Sequence, residues 1–257
     1  MTNILAIAQK ELKAYFASPI AYIVIGLWAL LYGYFYTFIL HFFLQQSMQM
    51  NQFGMQGPQS MNVNQQMIRP LLQNVTILVL FLMPMVTMRT YSEEKRSGTI
   101  ELLLTSPITD FQIIMGKFLG AMALYGVMLL VSLIHIALLF RFGNPEWKPI
   151  VTFYLGLLLL GGCFISLGLF ISSLTKNQIV AGMVTFAVFL MFWVINWMAS
   201  FSSPTTQSVL NHLSITEHLN DFTKGVLDTK HLVYYLSFIG FGLFLTVRSV
   251  DSERWRG

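Results

Sequence analysis

The sequence predicts an all-α, polytopic membrane protein with six transmembrane helices, and three observations carry that prediction. Only 10% of its 257 residues are charged while 55% are hydrophobic, too little polar surface to cover a water-soluble globule. Stretches at residues 20–44, 71–88, 118–140, 150–174, 179–199 and 232–247 contain no Asp, Glu, Lys or Arg, and each approaches or exceeds the roughly 20 helical residues that span ~30 Å of hydrocarbon. The 15 Lys and Arg residues also divide unevenly between the two ends of such a bundle. Placing the N-terminus in the cytoplasm puts Lys10, Lys13, Arg89, Lys95, Arg96, Lys117, Lys176, Arg248, Arg254 and Arg256 there, and leaves Arg69, Arg141, Lys148, Lys224 and Lys230 outside. Excess positive charge marks the cytoplasmic side, so both termini are expected inside.

Residues 1–18, "MTNILAIAQKELKAYFAS", carry Lys10, Glu11 and Lys13, which interrupt the apolar core a secretory signal would need. Ile4, Leu5, Ala8, Leu12 and Tyr15 recur at helical spacing, so an amphipathic helix lying on the membrane surface is expected before Pro19. The loop after the first span, "QQSMQMNQFGMQGPQSMNVNQQMIRP", is rich in Gln, Asn and Met and has no apolar stripe, and it reads as a partly ordered polar loop. Its thioethers Met48, Met50, Met55, Met61 and Met67 are of the soft type that selects Cu(I), but no His or Cys joins them. Methionine is common throughout the chain, so no metal site is expected.

Between the second and third spans, residues 89–117 hold the densest run of charge in the chain. About 28 residues exceed an ordinary connection. Thr90 and Glu93 have capping-box spacing, Gly98 ends that turn, and "TIELLL" can form a second short helix with Glu101 near its positive end. Pro107 stops it, and Thr109 with Gln112 has the spacing to cap a third helix, which runs from Asp110 into the next span. The expected product is a short helix at the cytoplasmic boundary tethered to two spans. Leu102, Leu103 and Leu104 suit a groove on a partner, and Glu93, Glu94, Lys95, Arg96 and Glu101 suit charge-assisted contacts with it.

The remaining spans read as packing elements. Gly156, Gly161, Gly162 and Gly168 would let the fourth span approach a neighbour closely. The Ser172, Ser173 pair and Asn196 beside Trp193 and Trp197 read as interhelical bonds or interfacial anchors. His135 reads as a residue hydrogen-bonded to a neighbouring helix, and His41 lies at the outer end of the first span. Residues 200–231 alternate helix caps with apolar residues, so one or two short helices on the outer face are expected, with His212, His218 and His231 as surface histidines lacking metal-ligand spacing. The C-terminal "RSVDSERWRG" would set Trp255 and its arginines at the headgroups.

Several functions are excluded by what is missing. No Asp, Glu or Lys lies within a span to bind a coupling ion. There is no His-Glu-x-x-His, no paired spanning aspartates and no Gly-x-Ser-x-Gly elbow. The one Gly-Lys pair, Gly116-Lys117, is followed by Phe118 and has Phe111 where a phosphate loop needs glycine. Neither catalytic residues nor a cofactor is expected, and basic charge that anchors the protein to the membrane needs no nucleic acid to explain it. The lone Cys163 excludes an intrachain disulfide.

"EEKRSGTIELLLTSP", followed by "GKFLGA", resembles the coupling-helix region of the membrane-spanning subunits of type-2 ATP-binding-cassette exporters, through Glu94, Arg96, Gly98, Thr99, Glu101, Leu102, Leu103, Pro107 and Lys117. "FTKGVLDTKHLVYYLS" is similar to the outer helices and the start of the last span in that family, and the likeness covers nearly the whole chain. Within the family it is nearest to permeases associated with bacterial gliding motility and with copper-enzyme maturation. The resemblance implies the type-2 exporter fold, a bacterial inner-membrane location, a second permease copy, a separate ATPase subunit that burns the ATP, contact with lipid, and an accessory periplasmic protein as a further partner. By its own local chemistry Pro84, near the end of the second span, is expected as the place where that span bends. The competing reading is a membrane scaffold or sensor whose cytoplasmic loop recruits a partner without driving flux.

Overall fold

In the computed structural model the described residues are 2–52, 63–105, 107–143, 145–201 and 203–254, and almost all of them are helical. Six helices are long and apolar enough to cross a membrane. They are α2 (Pro19–Gln52), α3 (Arg69–Thr87, entered through a π-turn at Asn64–Ile68), α6 (Asp110–Phe142), α7 (Trp147–Ser173), α8 (Gln178–Ser200) and α11 (Thr229–Arg254). The shorter elements are α1 (Thr2–Ala17), α4 (Ser92–Ser97), α5 (Thr99–Leu104), α9 (Pro204–Leu213) and α10 (Leu219–Thr223). With 33 residues, α6 is about 50 Å long, so it must project well beyond ~30 Å of hydrocarbon.

Helix α7 is the pivot, with α3, α6, α8, α10 and α11 all packed on it. Glycine makes this crowding possible. A Cβ on Gly161 would stand 2.1 Å from the Tyr125 ring of α6, and one on Gly168 would stand 2.3 Å from Thr87 Oγ1 of α3. Gly156 admits Leu219 and Phe222, and Gly162 admits Ile239, so close helix approach through small residues holds along the whole of α7. Side-chain hydroxyls tie the same helix to its neighbours' backbones: Tyr125 OH donates to the Leu157 carbonyl (3.0 Å) and Thr152 to that of Phe222 (2.8 Å).

The bundle has two distinct ends. Both described ends of the chain, together with α4 and α5, gather at one, called here the terminal end; α9, α10 and the α6–α7 turn lie at the other, the loop end. At the loop end, the Asn64 side chain donates to the Glu146 carbonyl (3.1 Å) and accepts from the Glu146 amide (2.9 Å), locking the start of the π-turn to the turn before α7.

Three expectations change here. The Met- and Gln-rich loop is shorter than expected, because α2 continues to Gln52 and helix resumes before Asn64. Met67 and Ile68 are fully buried beside Leu71 and Leu72, an apolar face that the surrounding glutamines conceal in the sequence. That burial removes Met67 from any exposed cluster of thioethers; the side chains of Met50, Met55 and Met61 lie outside the described residues. Helix α1 packs on α6, with Ile7, Glu11 and Tyr15 inward; of the expected face Ile4, Ala8 and Leu12 are half-buried and Leu5 is 65% exposed. His135 makes ring contacts with Tyr32 and Tyr36, both at 5.2 Å, and its Nδ1 has no hydrogen-bond partner among the described residues. It fills space between aromatic rings where a hydrogen bond was expected. Trp255 and Arg256, and the side chains of Asn196 and Trp197, lie outside the described part.

Candidate functional site

The charged segment between α3 and α6 folds as two short helices meeting at Gly98, whose φ of +74° is in the left-handed region that glycine enters without strain. Helix α4 has acidic residues in its first turn and basic ones in its last, the arrangement that complements the helix dipole. The expected Thr90–Glu93 capping box does not form. Thr90 Oγ1 lies 3.4 Å from the Tyr15 hydroxyl, and Glu93 is taken by Arg89 (2.7 Å). The cap comes from another helix. Ser172 Oγ of α7 accepts from the Tyr91 and Ser92 amides (3.1 and 3.2 Å) and donates to the Met88 carbonyl (3.0 Å), which satisfies amide donors that would otherwise be orphaned at the start of α4. The Thr109–Gln112 box at the start of α6 does form, with both bonds at 3.4 Å.

Beneath α4 sits a buried ion cluster. Lys117 of α6 is 1% exposed; its ammonium donates to Glu11 Oε1 (3.0 Å) and the Thr90 carbonyl (3.0 Å) and is ion-paired with Glu94 Oε1 at 2.8 Å. Two carboxylates and a backbone carbonyl surround this ammonium, as pairing of a buried cation requires. The Tyr91 ring face lies 5.0 Å from the same ammonium. Lys10, at 3.4 Å from Glu94 and 3.5 Å from Glu11, brings the cluster to two cations and two carboxylates. Partial burial pulls the Lys10 ammonium down, but Glu11 and Glu94 outweigh it and hold the group above its usual value.

Glycines seat α1 over this cluster. A Cβ on Gly116 would lie 2.5 Å from Ile7 Cγ2, and one on Gly120 would lie 2.7 Å from Glu11 Cβ and 3.2 Å from the Ala8 carbonyl. The pair, four residues apart on α6, lets α1 approach closely enough for Glu11 to reach Lys117.

On the other side of α4, Lys95 is buried and donates to the Ser173 carbonyl of α7 and to Glu253 of α11. Ser173 Oγ pairs with Ser249 Oγ at 2.8 Å. One six-residue helix is therefore fastened to α1, α6, α7 and α11 at once.

Two residues of the elbow bond within the chain. Glu94 and Lys95, read as contacts for a partner, are spent inside the chain, because a charge buried at a helix junction must be paired to be tolerated. Glu93 is paired as well, to Arg89, which also donates to Ser18 Oγ (2.9 Å). The outward face consists of Arg96, Gly98, Thr99, Glu101, Leu102 and Pro107, all exposed, with Leu102 at 73%. Ile100 points inward from α5; the side chains of Leu103 and Leu104 lie outside the described residues. A cavity of about 300 Å³ opens between α1 and the elbow, lined by Lys10, Arg89, Glu93, Ser97 and Thr99 among others. Glu11 and Ser172 were the residues sequence reasoning missed as parts of this site. The only signal for Glu11 was a carboxylate on an otherwise apolar helical stripe.

The histidines of the loop end also differ from expectation. His218 and His231 are buried, not surface residues, and they touch through their Nδ1 atoms at 2.6 Å. His231 Nε2 meets Asp221 Oδ2 at 2.9 Å, and His218 Nε2 meets the His212 carbonyl at 3.1 Å. Among the described residues no cluster of His, Cys, Asp and Glu has the makings of a metal site.

The sequence profile of the family described as "ABC-2 family transporter protein" matches residues 5–246. A search of the curated proteins found no match.

Proposed function

The chain belongs to the ABC-2 family of transporter proteins, a membrane permease family without an ATPase site of its own, and we propose that it is an exporter subunit moved through the α4–α5 elbow. The observation that supports this reading is the division of labour in that elbow: α4 is bonded to four helices of the bundle, while α5 presents Glu101 and Leu102 to whatever lies beyond it. A push on α5 then reaches α6 through Lys117, α7 through Ser172 and Ser173, and α11 through Glu253.

In this reading the terminal end faces the cytoplasm of a bacterium, since it carries Lys10, Lys13, Arg89, Lys95, Arg96, Lys117, Lys176 and Arg248. A pair of such chains sits in the inner membrane on a pair of ATPase subunits, whose closure on ATP tilts α3 and α6. Pro84, inside α3, has no amide to donate to the Leu80 carbonyl, which makes it the place where α3 would bend in this tilt. Arg96, Gly98, Thr99, Glu101, Leu102 and Pro107 form the docking surface. Glu93, Glu94 and Lys95 hold it in place.

The test is ATP hydrolysis by the ATPase subunit co-expressed with this chain. Glu101→Lys and Leu102→Ala should abolish the stimulation that the wild-type permease gives, with no loss of permease yield. Hydrolysis and copurification both indifferent to these changes would refute the elbow as the coupling contact. Copurification without any stimulation, even for wild type, would make the chain a scaffold.

A further inference from the structure

The three contacts of the loop-end histidines need three protons, and two neutral imidazoles carry only two. Asp221 Oδ2 and the His212 carbonyl are acceptors, so the ring nitrogens facing them, His231 Nε2 and His218 Nε2, must each bear hydrogen. If each ring used its single proton in that way, the two Nδ1 atoms would face each other at 2.6 Å as bare lone pairs. Moving either proton inward mends that contact and breaks another. One additional proton satisfies all three.

We propose that His218 and His231 together hold one proton in the folded protein, making the loop end a proton-binding site. The charge belongs on His231, which then donates from Nε2 to Asp221 and from Nδ1 to His218. His218 remains neutral, accepting at Nδ1 and donating from Nε2. Its surroundings favour this division: burial pushes the His218 imidazole below its usual value, and its ring lies flat on Tyr234 at 3.9 Å. Asp221 supplies the counter-charge. Its hydrogen bond to His231, aided by Lys224, holds its carboxyl down at about 2.

The other charges near the pair do not replace that proton. Lys224 is paired to Asp221 (2.9 Å) and Lys230 to Asp228 (3.0 Å). Glu217, before α10, is bonded to Asn220 (3.0 Å). From α9 comes His212, whose ring meets that of His218 edge-on, and from α3 Arg69 reaches the same cavity. From α7 the neighbouring contact is Thr152 to the Phe222 carbonyl, which is neutral. The cavity has a volume of about 480 Å³ and every residue lining it is polar, so water reaches the pair and the proton can exchange.

Linkage gives the arrangement a pH signature whose sign can be worked out. When α9 and α10 lift away, both histidines titrate near the usual ~6.5. Above that pH the open form holds no proton and the closed form one, so closure weakens by up to about tenfold per pH unit as pH rises. Below it the open form holds two protons and the closed form one, so closure weakens as pH falls, with the same limiting slope. Protection should therefore peak near pH ~6.5.

The experiment uses the full chain in lipid nanodiscs with ¹⁵N-labelled histidine, assigned through His218→Asn and His231→Gln. At pH 7.5 the expected spectrum has one imidazole protonated on both nitrogens, one neutral ring protonated on Nε2, and a coupling between the two Nδ1 atoms across the hydrogen bond. Two neutral rings at that pH, or no coupling, would overturn the proposal. Hydrogen exchange over residues 204–223 is the second readout. Wild type should give a bell-shaped profile, and His231→Gln, whose amide can make both contacts without a proton, should lose the alkaline fall and keep the acid one. An alkaline fall unchanged in His231→Gln would also overturn it.

Discussion

The two ends of the bundle are each held by a buried polar cluster, and the clusters are built from different groups. At the terminal end the joint is Lys117 ion-paired to Glu11 and Glu94. At the loop end the joint is two imidazoles and one aspartate. The first joint is made of ion pairs, whereas the second, on the proposal above, is closed by one shared proton, so the strength of its closure changes with pH. A part that transmits force benefits from a connection that does not change with its medium. Ties that contain histidine can respond to pH near neutrality.

The change with the largest expected effect on this contrast is Lys117→Met, which leaves two buried carboxylates with no internal cation except the exposed Lys10. Unfolding in mild detergent should register a loss of ~3–5 kcal/mol, the usual cost of breaking one side of a buried pair. Adding Glu11→Gln and Glu94→Gln to Lys117→Met should recover most of it, since the uncompensated charges are then gone. Failure to recover would mean that the cluster matters for shape and not charge.

Gly120→Val comes next. Its side chain would meet the Ala8 carbonyl and Glu11 Cβ, and forcing α1 off α6 should cost ~1–3 kcal/mol and expose Glu11 to a water-soluble carboxyl reagent. At the loop end Asp221→Asn has a smaller effect that depends on pH. With its carboxyl held at about 2 against an ordinary 3.8, Asp221 stabilises the fold above that ordinary value and ceases to do so as pH falls toward 2. The wild type should lose thermal stability through that window, and the variant should lack this component of the loss. Last is Leu102→Ala, at a side chain with almost no internal contact: its effect on stability should lie within ~0.5 kcal/mol, so any loss of coupling it causes reflects a missing partner contact.

How legible these features were depended on the range of the interactions. The spans were legible because lipid and backbone alone require about 20 apolar residues in a helix. The Thr109–Gln112 cap and the break at Gly98 were legible because both depend on residues within a turn of each other. The start of α4 was misread because its cap is Ser172, some 80 residues away, which no local pattern shows. His218 and His231 read as surface residues for the same reason. Their burial comes from packing against Tyr234 and Phe222, and their spacing of 13 matches no ligand motif.

The sequence by itself determined that this chain lives in a membrane, how often it crosses, and where its charged elbow lies, because hydrocarbon imposes those answers residue by residue. Only the tertiary structure decided which of the elbow's charges turn inward and which remain free. That choice depends on which distant side chain stands within about 3 Å once the helices pack, and hydrogen bonds and buried ion pairs are too short-ranged for composition or periodicity to reveal it.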